Sequence, residues 1–530
     1  MIRINNVSLP LDYEDSALEK YAAKELKISP DLIISAELFK RSIDARKKNQ
    51  IHFEATIDVV LKKNQDSVLR KCSKARAVEP YSYVFPKCRK LDKSPVIIGS
   101  GPCGLFAGLI LAQAGQTPVI IERGKDVDSR TNDVNIFRTT GKLNIQSNIQ
   151  FGEGGAGTFS DGKLNTGIKD KRIRKVLNEF VAAGAPEDIL YLAKPHIGTD
   201  MLKVAVKNIR NEIIRLGGKV IFEATFIGFE KRNDRISAVI YEKNNTKNRI
   251  ETDDVILSIG HSARDTFQML LDNTIIMEQK AFAMGVRIEH LQENINRQQY
   301  GDYYAHPRFK AADYKLAVHT STGRGVYTFC MCPGGSVVAA ASESGRLATN
   351  GMSEYARDRI NANSALLVNI GTDDFGSEKI LAGIDLQRKL EENAFCAGGE
   401  NYHAPVQRVG DFINNIKTVS FGSVIPSYEP GVEMSNMNAV LPEFMTSALK
   451  EGLLMMDKKL KGFSNDDAVL TAVESRSSSP VRIPRDEKMQ SLSLKGFYPC
   501  GEGAGYAGGI MSAAVDGIKA AEMILYNSLI

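Results

Sequence analysis

Three glycines spaced as Gly99-x-Gly101-x-x-Gly104 follow the apolar run Val96–Ile98 and open a second apolar run. An acid, Glu122, closes the next one. This order of residue types suits a dinucleotide. Gly99 permits a tight turn, Gly101 lets the backbone approach a pyrophosphate, and Gly104 lets helix and strand pack closely. With Pro102 and Cys103 at the helix start, the free amides and the helix dipole there stabilise phosphate charge. The Glu122 carboxylate can accept hydrogen bonds from both hydroxyls of an adenosine ribose, and Arg123 stands beside it. Other familiar chemistry is missing from the sequence. The seven cysteines form neither C-x-x-C nor C-x-x-x-x-C, and the seven histidines form no H-E-x-x-H. Neither a disulfide redox pair beside the glycine turn nor a metal site is therefore expected.

Three later segments narrow the dinucleotide. Residues 152–164 read GEGGAGTFSDGKL, residues 254–261 read DVILSIGH, and residues 501–514 read GEGAGYAGGIMSAA. Together they resemble the glutathione-reductase-type FAD-binding fold of the NAD(P)/FAD-dependent oxidoreductases. That resemblance implies FAD as cofactor, with Glu502 on the ribityl chain, where many relatives carry aspartate. It also implies that amides around Gly508, Gly509 and Ile510 face the flavin carbonyl region, where the helix dipole favours a reduced, anionic ring. Gly155, Thr158, Ser160, Gly162 and Lys163 of the first loop, Gly260 after the second strand, and Gly501 complete the expected cofactor set. The runs FCMCPGGSVVAAASESG (329–345), VESRSSSPVRIPRD (473–486) and YPCGEGAGYAGGIMSAAVDGIKAAE (498–522) resemble a bacterial family of uncharacterised FAD-dependent dehydrogenases. The resemblance spans the chain, including a small N-terminal α/β unit with a stretch like RSIDARKK, and it implies no substrate.

Catalytic candidates are few. Arg476, with Glu474 and Arg482 nearby, either holds an anionic flavin or substrate bidentately or braces a loop through an ion pair. Asp161 and Lys163 either transfer protons or contact ribityl and phosphate groups. His261 follows a glycine that faces the cofactor in the resembling fold, so it is a candidate for flavin or substrate contact. Glu343 is a weaker one. Cys330 and Cys332 alternate on an apparent strand and share a face. They read more readily as two small buried residues than as a redox or metal pair. Cys103 reads as packing, and Cys500 as a neighbour of the cofactor.

These residues need a scaffold. At 530 residues, two or three domains are expected. Periodicity predicts strands over 2–9, 32–46 and 52–62 and a helix over 16–26, a small α/β domain within residues 1–93. The basic residues Lys62, Lys63, Arg70, Lys71, Lys74 and Arg76 read as a solvated face or linker rather than a surface for RNA, acidic protein or nucleotide phosphate. Residues 94–281 form the first part of a discontinuous Rossmann-type FAD-binding domain, and residues 471–530 the second. Residues 282–470 form an inserted α+β substrate or cap domain. Further expected elements are a helix over 200–216, strands near 219–229, 236–242, 254–259, 326–332 and 337–341, and a helix over 353–361.

Composition agrees with an ordinary folded protein. It is 43% hydrophobic and 25% charged, and a net charge of +5 does not by itself indicate a nucleic-acid or membrane partner. The longest apolar stretch, 103–112, is far short of a bilayer span, and the first residues carry no secretory signal, so a cytoplasmic location is expected. The reading is an FAD-dependent oxidoreductase acting on a small molecule by hydride transfer to or from flavin. Its electrons come from substrate, transiently docked NAD(P)H or a donor protein. There is no second G-x-G-x-x-G followed by an acid to mark a dedicated nicotinamide domain. Two rivals share the same residues: a flavin monooxygenase, and a non-catalytic FAD-binding module whose N-terminal domain engages nucleic acid or protein.

Overall fold

The structure, a computed structural model, describes residues 1–529. At its centre lie five short parallel strands in the order Phe497–Pro499, Val255–Leu257, Val96–Ile98, Val119–Ile121 and Lys219–Ile221. Parallel strands are covered on both faces, and the first four read accordingly as uninterrupted apolar runs, while the edge strand Lys219–Ile221 begins on an exposed lysine. Alternate residues sort to the two sides. Ile97, Ile120, Ile256 and Tyr498 pack against the helices Pro102–Gln113, Thr199–Arg215 and Ile510–Asn527. Val96, Ile98, Ile121, Val255, Leu257 and Phe497 share a second core with Phe226, Ile236 and Val239 of an antiparallel three-stranded sheet. That sheet comprises Thr225–Arg232, Arg235–Lys243 and Thr246–Glu251.

A seven-stranded sheet forms the other wall of the molecule. Its order is Ala317–His319, Gly325–Cys332, Asn361–Ile370, Phe282–Leu291, Val469–Glu474, Ala404–Arg408 and Val432–Met434, antiparallel except for the last pair. The helix Glu443–Asp457 contributes Met445, Leu449, Leu453 and Met456 to the core on one face of this sheet. The strand Val469–Glu474 spans the expected boundary at 470/471 and pairs with Phe282–Leu291.

The N-terminal unit is a four-stranded antiparallel sheet with the helix Leu18–Leu26 packed on it through Leu18, Ala22, Ala23 and Leu26. Phe53, Ala55, Ile57 and Val59 alternate into its core as their spacing predicts. Of the two forms expected for the basic stretch, a solvated face or a linker, it takes the first, as part of this unit. It folds as a helix, Gln65–Lys71, and an edge strand, Ala75–Ala77, paired with Ile2–Ile4. Val68 and Cys72 bury the underside, so the basic residues are only its outer face.

The helix expected over 353–361 does not form. Residues 353–360 are irregular and Asn361 begins a strand. Tertiary bonds outweigh the helical spacing: Ser353 Oγ donates to the Pro333 carbonyl and the Tyr355 amide donates to Asp200, both at 2.8–2.9 Å. Arg357 adopts a left-handed φ of 53°.

Candidate FAD-binding and active site

The strands Val96–Ile98, Val119–Ile121, Val255–Leu257 and Phe497–Pro499 all end at one edge of the parallel sheet, and the residues after them open into one cavity. It encloses about 1560 Å³ of space free of protein atoms, its mouth included. Ligands of open α/β sheets bind at this carboxyl edge.

The glycine turn has the geometry its spacing predicts. Gly99 sits at φ 99°, a conformation that L side chains rarely adopt. A Cβ on Gly104 would lie 1.9 Å from the Gly99 carbonyl oxygen, so the helix approaches the turn only because that position is bare. Gly101 caps the helix and Pro102 begins it, a position where the missing amide costs nothing.

Glu122 does more than its position at a strand end suggests. Oε2 accepts from the Ser100 amide and the Ser100 hydroxyl, each at 2.8 Å, and Oε1 from the Gly124 and Gly152 amides, each at 2.9 Å. One carboxylate thus joins the glycine turn, the turn after the second strand and the loop before Gly155. All four of its acceptor directions meet protein donors.

Arg130, which attracts no notice in the sequence, holds that loop from behind. It is fully buried. Its guanidinium donates to the carbonyls of Asn148, Ile149, Glu153 and Gly155 at 2.7–3.0 Å. Burial pulls it down to about 10, so it is still charged at neutral pH.

Of the residues expected at the site, nineteen line the cavity: Gly99, Gly101, Pro102, Cys103, Glu122, Arg123, Gly155, Ser160, Asp161, Gly162, Lys163, Gly260, His261, Arg476, Gly501, Glu502, Gly508, Gly509 and Ile510. Two do not. Gly104 lies behind the turn as a packing position. Thr158 turns inward, its hydroxyl donating to the Glu153 carbonyl and its carbonyl accepting from Thr199.

Arg123 reaches Asp265 at 2.7 Å and lies over the Phe151 ring. His261 is buried at the cavity edge with neither ring nitrogen hydrogen-bonded, its Nδ1 3.4 Å from Glu502 Oε1. A buried imidazole without partners fits a site whose remaining hydrogen-bonding groups arrive with a ligand. Asp161 is gripped by Arg357 at 2.9 and 2.5 Å. Burial alone would raise this carboxyl, but the charges of Lys163 and Arg357 outweigh it and hold it at about 2.

Arg476 is wholly engaged in an ion pair. It meets both oxygens of Glu391, and Nη1 donates to Ser262 and Ser342. Burial would raise the Glu391 carboxyl, but Arg264 and Arg476 hold it well below the usual carboxylate range. Glu391 is legible in the sequence only as an oddity: Ile384, Gln387, Glu391 and Ala394 share the buried face of the helix Ala382–Ala397, and a carboxylate there demands a cation. Arg264 also pairs with Glu343, which Arg388 holds from its other side.

The cysteine pair departs from its expected form. A bulge between Phe329 and Cys332 gives Cys330 a left-handed φ of 40°. Cys332 is buried, whereas Cys330 is accessible, opening into the cavity.

A parallel sheet, a glycine turn braced by a strand-end acid, and a second glycine turn opening a helix define a dinucleotide-binding protein of the Rossmann class. Comparison with known proteins carries this further. The chain is 49% identical over 528 residues to an "Uncharacterized protein" of Clostridium beijerinckii, covering 99% of this chain and 98% of that one, and it belongs to the same family. Residues 281–477 match the family described as "FAD-dependent protein, C-terminal domain-like", and residues 1–60 match a domain of unknown function, DUF8436. FAD is the cofactor.

Solved structures similar in outline include a geranylgeranyl bacteriochlorophyll reductase-like protein of Thermoplasma acidophilum, 12% identical with TM-score 0.37 over 83% of each chain. Flavin-dependent brominase Bmp2 is 12% identical with TM-score 0.38, over 83% of this chain and 80% of that one. Among the described residues no helix is long and apolar enough to cross a membrane.

Proposed function

We propose that this chain is an FAD-dependent oxidoreductase of the glutathione-reductase-type fold, a dehydrogenase or reductase passing an electron pair between flavin and a small molecule. One observation carries the reading. Both glycine turns and the bulged end of the strand Gly325–Cys332, at Phe329, Cys330 and Cys332, open into the same cavity. Bound FAD supplies the two-electron chemistry.

The chain's own residues hold and orient it. Amides of the Gly99–Cys103 turn take the pyrophosphate. Glu122 takes the ribose, with a hydroxyl replacing Ser100 Oγ, the one of its four donors that can rotate away. The start of the helix Ile510–Asn527 faces the flavin ring, and its dipole favours negative charge there. His261 and Glu502 stand where a proton can be held beside the ring. The domain division at 93, 281 and 470, a cytoplasmic location and electron supply from substrate, NAD(P)H or a donor protein belong to this proposal.

The experiment is an anaerobic screen of the purified protein against metabolites, NADH and NADPH, followed by flavin absorbance. Rapid bleaching by one donor, reversed by an acceptor, is expected. A flavin that no donor reduces would leave a binding module instead.

A further inference from the structure

One end of the cavity carries an ammonium group with no hydrogen-bond partner. Lys163 Nζ is buried and has no hydrogen-bond partner. It stands 3.6 Å from an Asp161 oxygen, but Arg357 already occupies that carboxylate at both oxygens. In the same region Arg287 is fully buried, 3.5 Å from Glu474, whose second oxygen has no partner. Arg287 also faces the buried Glu289, so three cations, Lys163, Arg357 and Arg287, stand among three carboxylates, Asp161, Glu289 and Glu474, and of the cations Lys163 is the one left without a hydrogen-bond partner. The wall beside them is uncharged. Phe329, Cys330 and Cys332 line it, and the charge of Lys163 reaches both thiols. Arg476 is no rival, because each nitrogen of its guanidinium already has a partner in Glu391, Ser262 or Ser342.

Burying an ammonium group without a partner is costly, and a ligand that brings one negative charge relieves the cost. We propose that this end is the substrate subsite and that it takes a small monoanionic carboxylate with an uncharged, largely apolar body, its carboxylate on Lys163. An amine is repelled by the ammonium group. The inference rests on the oxidoreductase reading and deepens it.

Calorimetric titration of the FAD-loaded protein with benzoate, benzamide and benzylamine, with flavin absorbance recorded alongside, tests this. Benzoate should bind saturably and perturb the flavin spectrum, with benzamide and benzylamine at least about tenfold weaker. Lys163→Met should weaken benzoate by about tenfold to a hundredfold and Lys163→Arg by far less. Lys163→Gln repeats the test if the Met variant fails to load FAD. Equal benzoate affinity in the Met and Gln variants overturns the proposal, as does preference for the amide or amine, or binding that leaves the flavin spectrum unmoved. So does a shifted flavin reduction potential with benzoate affinity intact, because the charge would then serve the ring. Flavin reduction by donors is scored separately: a reducible flavin with no benzoate site sinks the subsite and leaves the oxidoreductase reading standing.

Discussion

Arg476 holds Glu391 by both oxygens, Nε to Oε1 at 2.9 Å and Nη2 to Oε2 at 3.0 Å. Arg264 meets the same two oxygens at 2.8 and 2.9 Å. A single buried carboxylate thus fixes two guanidiniums, one of which lines the cavity. The helix Ala382–Ala397 is thereby tied to the residues after strands Val255–Leu257 and Val469–Glu474, so parallel sheet and larger sheet meet through one ion cluster.

Glu391→Ala leaves two buried guanidiniums sharing no partner. It should destabilise the fold by about 3–5 kcal/mol, read from denaturant unfolding, because breaking a buried pair strands its charges. A loss under about 1 kcal/mol would mean that the cluster is weakly coupled to the fold.

Glu122→Gln should cost both thermal stability and FAD retention. The amide nitrogen it introduces cannot accept, so at least one pair of donors, either those of Ser100 or the Gly124 and Gly152 amides, is left unpaired. Leaving such buried groups unsatisfied costs about 1–3 kcal/mol each. Thermal midpoints with and without added FAD check this. Wild-type midpoints in both conditions would contradict the bracing role.

Acid should weaken the fold as pH falls below about 6.5, through two buried histidines. Burial pulls His196 and His290 down to about 4, and Arg357 adds repulsion at His196. The unfolded chain takes up these protons near pH 6.5, the folded chain only near 4. Stability from these neutral rings is therefore full above pH 6.5 and is lost as pH falls towards 4, by about 3 kcal/mol per ring. Thermal midpoints between pH 7 and 4 should fall less steeply for His196→Gln and His290→Met than for wild type. Parallel slopes would contradict the assignment.

What the sequence makes legible follows from how local each signal is. The Gly99 turn, its flanking strands and the terminal helix Ile510–Asn527 are set by contiguous apolar runs and by glycines, and each stands where those signals put it. Arg130 and Arg357 are not legible, because their partners lie 18 and 196 residues away and nothing nearby marks them, and Glu391 shows only as a carboxylate on a buried helix face, its partner Arg476 lying 85 residues away. The 353–360 segment misleads for the same reason. Its helical spacing is local, while the bonds that unwind it, to Pro333 and Asp200, are not. The Cys330 bulge is a register shift, invisible to alternation.

The central claim is that the cavity joining the Gly99 and Gly501 turns holds FAD. Its most direct measurement is to denature the purified protein and to identify and quantify the nucleotide released. FAD at one molecule per chain is expected, lost from a Gly104→Ala variant whose Cβ would strike the Gly99 carbonyl. Colourless protein that takes up no added FAD, or one that releases a different nucleotide, would contradict it.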